Sequence, residues 1–232
     1  MQQSPKGLSH SHRLGSRTTL GSVLRPGGPS TPFSEVRVLS ERRSRESIAA
    51  MPRILVATSE GLRAFDERGR DDGTELAGRS VTAVVRDGSQ LWAIVESAEI
   101  WHAPEGEWRF VAKLDGPSAS CIAMTDAIHV GTSEGHLFRL NGDTLDRVSA
   151  FDAAEGRETW YTPRGGPPDT RSISEWGEDV YVNVNVGGIL RTSDGGASWS
   201  PTIDIDADVH QVATAEGLVL AAGARGLSLS TD

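Results

Sequence analysis

Residues Gly188–Trp199 read GILRTSDGGASW, and the run that leads into them, VYVNVNV from Val180, alternates apolar and polar residues as a strand does. The segment SDGG then supplies small residues for a tight turn, in which Gly195 and Gly196 can take the positive φ angles that side chains resist. Asp194 is placed to accept hydrogen bonds from N–H groups of that turn. Trp199 is placed to open the next strand with its ring buried.

Aligned on this stretch, the chain repeats itself. ILVATSEGLRAF from Ile54, LWAIVESAEIW from Leu91, IHVGTSEGHLF from Ile128, VYVNVNVGGIL from Val180 and LVLAAGARGLSL from Leu218 share one pattern: an alternating strand, a short turn of small residues, a second strand. The starts lie 37, 37, 52 and 38 residues apart, near the ~40–50 residues of a four-stranded propeller blade. The second repeat fills out as VTAVVRD, QLWAIVE, AEIWHAP and WRFVAKL, the third as SCIAMT, AIHVGTS, GHLFRL and LDRVSAF, the fourth as TRSISEW, DVYVNVNV, GGILRTS and SWSPTI. The first repeat enters at its second strand, and the last stops within its third.

Thr192, Asp194, Gly196, Ser198 and Trp199 fit the pattern Ser/Thr-x-Asp-x-Gly-x-Ser/Thr-Trp, which resembles the Asp-box, or BNR repeat, of the sialidase-like β-propeller superfamily. The segment APEGEW, Ala103 to Trp108, resembles a decayed copy, and Ser230 and Asp232 fall on Thr192 and Asp194 when shifted by 38 residues. The resemblance implies an all-β propeller of four-stranded antiparallel blades, with about four and a half blades present of an expected six to eight, hence a C-terminally truncated sequence. It also implies a structural role for the box residues Thr192, Asp194, Gly196 and Trp199, on the face opposite any ligand. An unclosed propeller is expected to self-associate through its open blade edges.

The net charge of −9 divides unevenly: residues 1–50 hold eight Lys/Arg and three Asp/Glu, leaving 15 and 29 for residues 51–232. An acidic body argues against a nucleic-acid surface, which must neutralise phosphate. No apolar run approaches the roughly 20 residues that span a bilayer, so no membrane partner is expected. Residues 1–50 are rich in Ser, Arg, Gly and Pro without periodicity. They read as a disordered extension or a misplaced gene start, with a transit peptide as the other reading and the propeller domain running from 51 to 232. The single cysteine, Cys121, lies in the apolar run SCIAM and fits a buried thiol in a reducing, cytoplasmic setting.

In such a blade the turn between the second and third strands shares a face with the link to the next blade. Two links stand out there. The insertion GRETWYTPRGGPPDTR, 156–171, gathers Trp160, Tyr161, Arg164, Asp169 and Arg171, and added loop length is how scaffolds commonly acquire binding. The link IDIDADVH sets Asp204, Asp206, Asp208 and His210 at every other residue, one side of an extended chain. Those four are weak candidates for a divalent cation, though no metal or other cofactor is expected. Asp206, Asp208 and Asp169 are the candidate catalytic carboxylates. Trp160, Tyr161, Arg164, Arg171, Asn185, His210 and Arg225 are the candidate ligand contacts.

Tyr161 and Tyr181 are the only tyrosines, and Arg53-Ile54 is followed by Leu55 rather than the Pro of the sialidase signature. The sequence therefore reads as a scaffold for a small-molecule, glycan or protein ligand. The alternative is a glycoside hydrolase-like enzyme using paired carboxylates on the same face.

Overall fold

A computed structural model describes residues 20–22, 37–39, 53–162, 165–204 and 207–231. Period-2 alternation turns each repeat into strands. The first sheet holds β1 (Leu20–Ser22), β2 (Arg37–Leu39), β3 (Ile54–Thr58), β4 (Gly61–Phe65) and β5 (Asp71–Glu75). The second holds β6 (Val81–Asp87), β7 (Gln90–Val95), β8 (Glu99–Ala103) and β9 (Arg109–Lys113). The third holds β10 (Ala119–Met124), β11 (Ile128–Thr132), β12 (Leu137–Asn141) and β13 (Thr144–Arg147). The fourth holds β14 (Thr170–Trp176), β15 (Asp179–Val184), β16 (Gly188–Thr192) and β17 (Ser200–Pro201). The last holds β18 (Val209–Ala215), β19 (Leu218–Gly223) and β20 (Gly226–Ser230).

From the second sheet on, each is an antiparallel meander with its first strand innermost and packed on the first strand of the next sheet: β6 on β10, β10 on β14, β14 on β18. The chain is thus an all-β propeller of four-stranded antiparallel blades, three of them complete. In the first sheet β2 pairs with β3 at Val38 and Val56, taking the inner place that the first repeat lacked. These two short strands come from the segment read as without regular structure; the rest of 1–52 lies outside the described residues.

Alternation sends neighbouring side chains into different cores. From β7, Leu91, Ala93 and Val95 enter the layer shared with the first blade, whereas Ile94 enters the layer shared with the third. From β15, Val180, Val182 and Val184 face the third blade and Tyr181 the last. Both faces of a middle blade are therefore buried, and blade-on-blade layers, rather than one central core, hold the chain together.

One outer strand departs from the sequence reading. LDRVSAF was expected to be strand throughout, but β13 ends at Arg147 and Ser149–Asp152 forms a single helical turn, α1. That turn drops Phe151, fully buried, between the third and fourth blades, where it meets Trp199 edge-on at 5.2 Å and Trp160 at 5.8 Å. A strand would leave a ring of this size on one of its two faces; the turn carries it into the layer where burial is most favourable.

Candidate functional site

Each complete or terminal inner strand from β6 onward breaks register once, at the same place. The ladder skips Thr82 in β6, Ser120 in β10, Arg171 in β14 and His210 in β18. A bulge leaves its extra residue unpaired and re-aims the side chain. Two residues before each bulge, the chain accepts a backbone hydrogen bond from the turn after its neighbouring strand: Glu96 to Ser80 at 2.8 Å, Ser133 to Ser118 at 2.8 Å, Asn185 to Asp169 at 2.8 Å and Ala224 to Asp208 at 3.2 Å. The frame is constant; the bulged side chain varies.

In the second and third blades that side chain is a small hydroxyl held by its surroundings. Thr82 Oγ1 lies 3.1 Å from Ser97 Oγ, and Ser120 donates to the Gly131 carbonyl at 3.0 Å. In the fourth blade and the last sheet it is Arg171 and His210. Arg171 Nε donates to Asp169 Oδ2 at 3.1 Å, and its Nη1 lies 3.4 Å from His210 Nδ1. A guanidinium steered by one carboxylate and set beside an imidazole can hold an anionic or carbonyl group of a ligand.

The insertion frames this group from the side. Arg157, in a 3₁₀ turn over Arg157–Thr159, donates to the Gly135 carbonyl at 2.7 Å and lies 4.6 Å over the Trp160 ring. Asp152 sits 2.8 Å from His136 Nδ1, and Arg147 closes on its other oxygen at 2.5 Å. Burial pushes the Asp152 carboxyl up, but hydrogen bonds from Arg147 and His136 and the nearby Arg157 charge outweigh it and hold Asp152 below its ordinary value. The base of the insertion is therefore clamped to the turn between β11 and β12.

The sequence candidates separate accordingly. Asp169, Arg171 and His210 come together, and the Asn185 backbone joins them through Asp169. Trp160 is a wall, packed on Phe151, with Gly135 and Gly187 beside it. Tyr161 is 47% exposed and hydrogen-bonds through its backbone to Val186. Arg225 is exposed in the turn between β19 and β20, which the Ala224–Asp208 bond ties to the acidic link. Arg164 and Asp206 lie outside the described residues. Asp204 is exposed, and among the described residues no group of three or more His, Cys, Asp or Glu could hold a metal ion. Sequence reading missed Thr82 and Ser120, although each inner strand carries its polar residue directly after its first position.

On the opposite face, the turn from β16 to β17 closes on itself. Asp194 Oδ1 accepts from Thr192 Oγ1 at 2.7 Å and from Ser198 N at 3.0 Å, and Oδ2 accepts from Ser198 Oγ at 2.6 Å. These bonds hold the Asp194 carboxyl far below the usual carboxylate range. Gly196 N donates to Thr192 Oγ1 at 3.0 Å, with Gly195 and Gly196 at φ 70° and 90°. Trp199, 5% exposed, anchors the turn on the third blade. Trp108, in the decayed copy, reaches back one blade in the same way and donates to Glu75 at 2.8 Å.

Neither a family model nor a curated protein matches this chain. Solved structures do. YCF48 bound to D1 peptide shares 13% identity at a TM-score of 0.51 over 77% of this chain and 61% of that one. BamB from Moraxella catarrhalis shares 16% at 0.51, over 76% and 53%. The extracellular domain of the hybrid two component system BT4673 from B. thetaiotaomicron shares 12% at 0.60, over 94% and 32%. The chain thus spans less than two thirds of each of these proteins. At such identities the likeness is one of fold, and the class it defines is the β-propeller-like proteins.

Proposed function

We propose that this chain is a BNR/Asp-box propeller that binds a peptide segment of a partner protein on the face where Arg171 and His210 emerge. One observation carries the reading. A bulge repeated blade after blade keeps the backbone constant while placing Arg171, His210 and, from Asp169, a positioning carboxylate at one rim. Arg171 anchors a carboxylate or backbone carbonyl of the peptide, Tyr161 and the Trp160 wall flank it, and Arg225 extends the cationic side. Peptide binding by YCF48 on a similar scaffold supports this reading. So does the firmly bonded Asp194 turn, which acts as a staple rather than a site. The boundaries at 1–50 and 51–232 and a cytoplasmic setting, the latter supported by the buried thiol of Cys121, belong to the same proposal.

Selection of a displayed peptide library on the purified chain tests it. Selected peptides should carry an acidic group or a free C-terminus and should lose roughly tenfold or more in affinity on Arg171→Ala, the scale of one charge-assisted hydrogen bond. Unchanged affinity in Arg171→Ala and in Tyr161→Ala would remove the reading.

A further inference from the structure

The face opposite the bulges carries a groove of about 460 Å³ between the third blade and the fourth. One wall is the turn Thr125 to His129; the other holds Glu178, the turn Thr192 to Gly196 and Trp199. One atom there stands out. The Trp199 indole is 5% exposed, and among the described residues its Nε1 has no hydrogen-bond partner. A Cβ on the lining residue Gly196 would stand 3.9 Å from that nitrogen, which sets it against the groove's own wall. A buried N–H left without an acceptor is costly, so an acceptor oxygen brought into the groove gains more there than at an exposed donor.

The facing wall offers the complement. His129 is 7% exposed, and burial lowers its pKa, which keeps the ring neutral near pH 7. Thr125 Oγ1 lies 2.9 Å from Nδ1 and directs its own hydrogen to Asp126 Oδ1 at 3.1 Å, so it accepts from Nδ1–H. Nε2 is then the ring nitrogen with the lone pair. At the mouth, the exposed carboxylates of Asp126 and Glu178 are further acceptors, since an ionised carboxylate offers about four lone-pair sites and keeps accepting beside a partner such as Arg139.

A cation does not answer this pattern, because ammonium and guanidinium groups only donate and leave the indole unmet. A carboxylate only accepts, and it would face Asp126 and Glu178. A primary amide carries both functions on one uncharged planar head: an oxygen that accepts and two N–H groups that donate. The groove volume falls within the ~300–1,000 Å³ of ligand pockets, ample for such a side chain and its flanking backbone. We infer that this groove is a second binding site, for an asparagine or glutamine side chain presented by an uncharged segment of a partner polypeptide. The amide oxygen accepts from Trp199 Nε1, and the amide N–H groups donate to His129 Nε2 and to the carboxylates at the mouth. The Arg171 rim takes an anionic or carbonyl group, so the two faces select different ligands.

The test is a titration of the full chain with acetyl-Gly-Gln-Gly-N-methylamide, followed by the Trp199 indole N–H resonance in a ¹H–¹⁵N spectrum. Peptides with Met, Glu or Lys in place of Gln have side chains of similar length: Met has no strong donor or acceptor, Glu only accepts and Lys only donates. The expected result is a saturable shift at millimolar peptide or below, with the Gln peptide binding roughly fivefold or more tightly than each of the three, the scale of one neutral hydrogen bond. Binding of an uncharged ligand should change little as salt rises. Trp199→Phe assigns the resonance and keeps a ring in the layer; binding followed at the Gly177 and Gly195 amides should weaken by a similar factor. The inference is overturned by an unmoved indole signal, by equal affinity for the Met peptide, or by tighter binding of the Glu or Lys peptide. Methyl glucoside shifting the indole signal where the Gln peptide does not would assign the groove to hydroxyl ligands and overturn it as well. Arg171→Ala leaves this titration unaltered, which separates the site from the one on the other face.

Discussion

At the scale of single residues, small polar groups do the organising. Thr192 accepts from Gly196 N and donates to Asp194 while 3% exposed. Thr192→Val keeps the shape and removes both bonds, so urea unfolding should show a loss of about 1–3 kcal/mol, the net worth of two hydrogen bonds. His129 gives a pH signature. Burial lowers its pKa from 6.5, and the lesser pull of Asp126 upward does not reverse this. A group whose folded pKa is depressed contributes stability above its unfolded value and loses it as pH falls. The thermal midpoint should therefore drop as pH falls below about 6.5, and His129→Gln should flatten that drop. An identical pH profile in the variant would show that His129 does not supply it.

At the scale of elements, the interfaces between blades decide stability. α1 exists to seat Phe151 against Trp160 and Trp199. Phe151→Ala should cost about 3–5 kcal/mol in chemical denaturation, as large core deletions do, and should couple non-additively with Trp199→Ala because the rings touch. Gly131 lies where the third blade packs closely on the fourth: a Cβ there would meet Cys121 Sγ of its own blade and Thr170 Cγ2 of the next, each at 2.5 Å. Gly131→Ala should accordingly destabilise by about 1–3 kcal/mol through overpacking, whereas a neutral effect would mean that the third and fourth blades slide apart freely.

At the scale of the molecule, stability is shared among layers and need not be uniform. β11 is buried along its whole length, while β20 leaves Leu227 and Leu229 at 62% and 63% exposure. Native-state hydrogen exchange should rank the amides of β7, β11 and β15 slowest and those of β19 and β20 fastest. Uniform exchange would imply a single cooperative unit. The groove beside Trp199 lies between the third and fourth blades, whereas the Arg171 rim bridges the fourth blade and the more exposed last sheet.

Alternation and turn chemistry are local properties, so the strands of the second, third and fourth repeats, the Asp194 turn and the burial of Trp199 were legible in the sequence. The gathering of Asp169, Arg171 and His210 on one face was legible in outline, because link lengths and strand order place them together. Three features were not. The bulges depend on how each inner strand twists against the next, and a single polar residue after a strand's first position does not announce one. The helical turn at Phe151 follows from a hole between two blades that only their packing creates. The groove beside Trp199 is built from turns of two different blades, about fifty residues apart in sequence. Among the described residues its buried indole N–H lacks a partner because of what those turns leave open, which is a property of their meeting and of neither sequence alone.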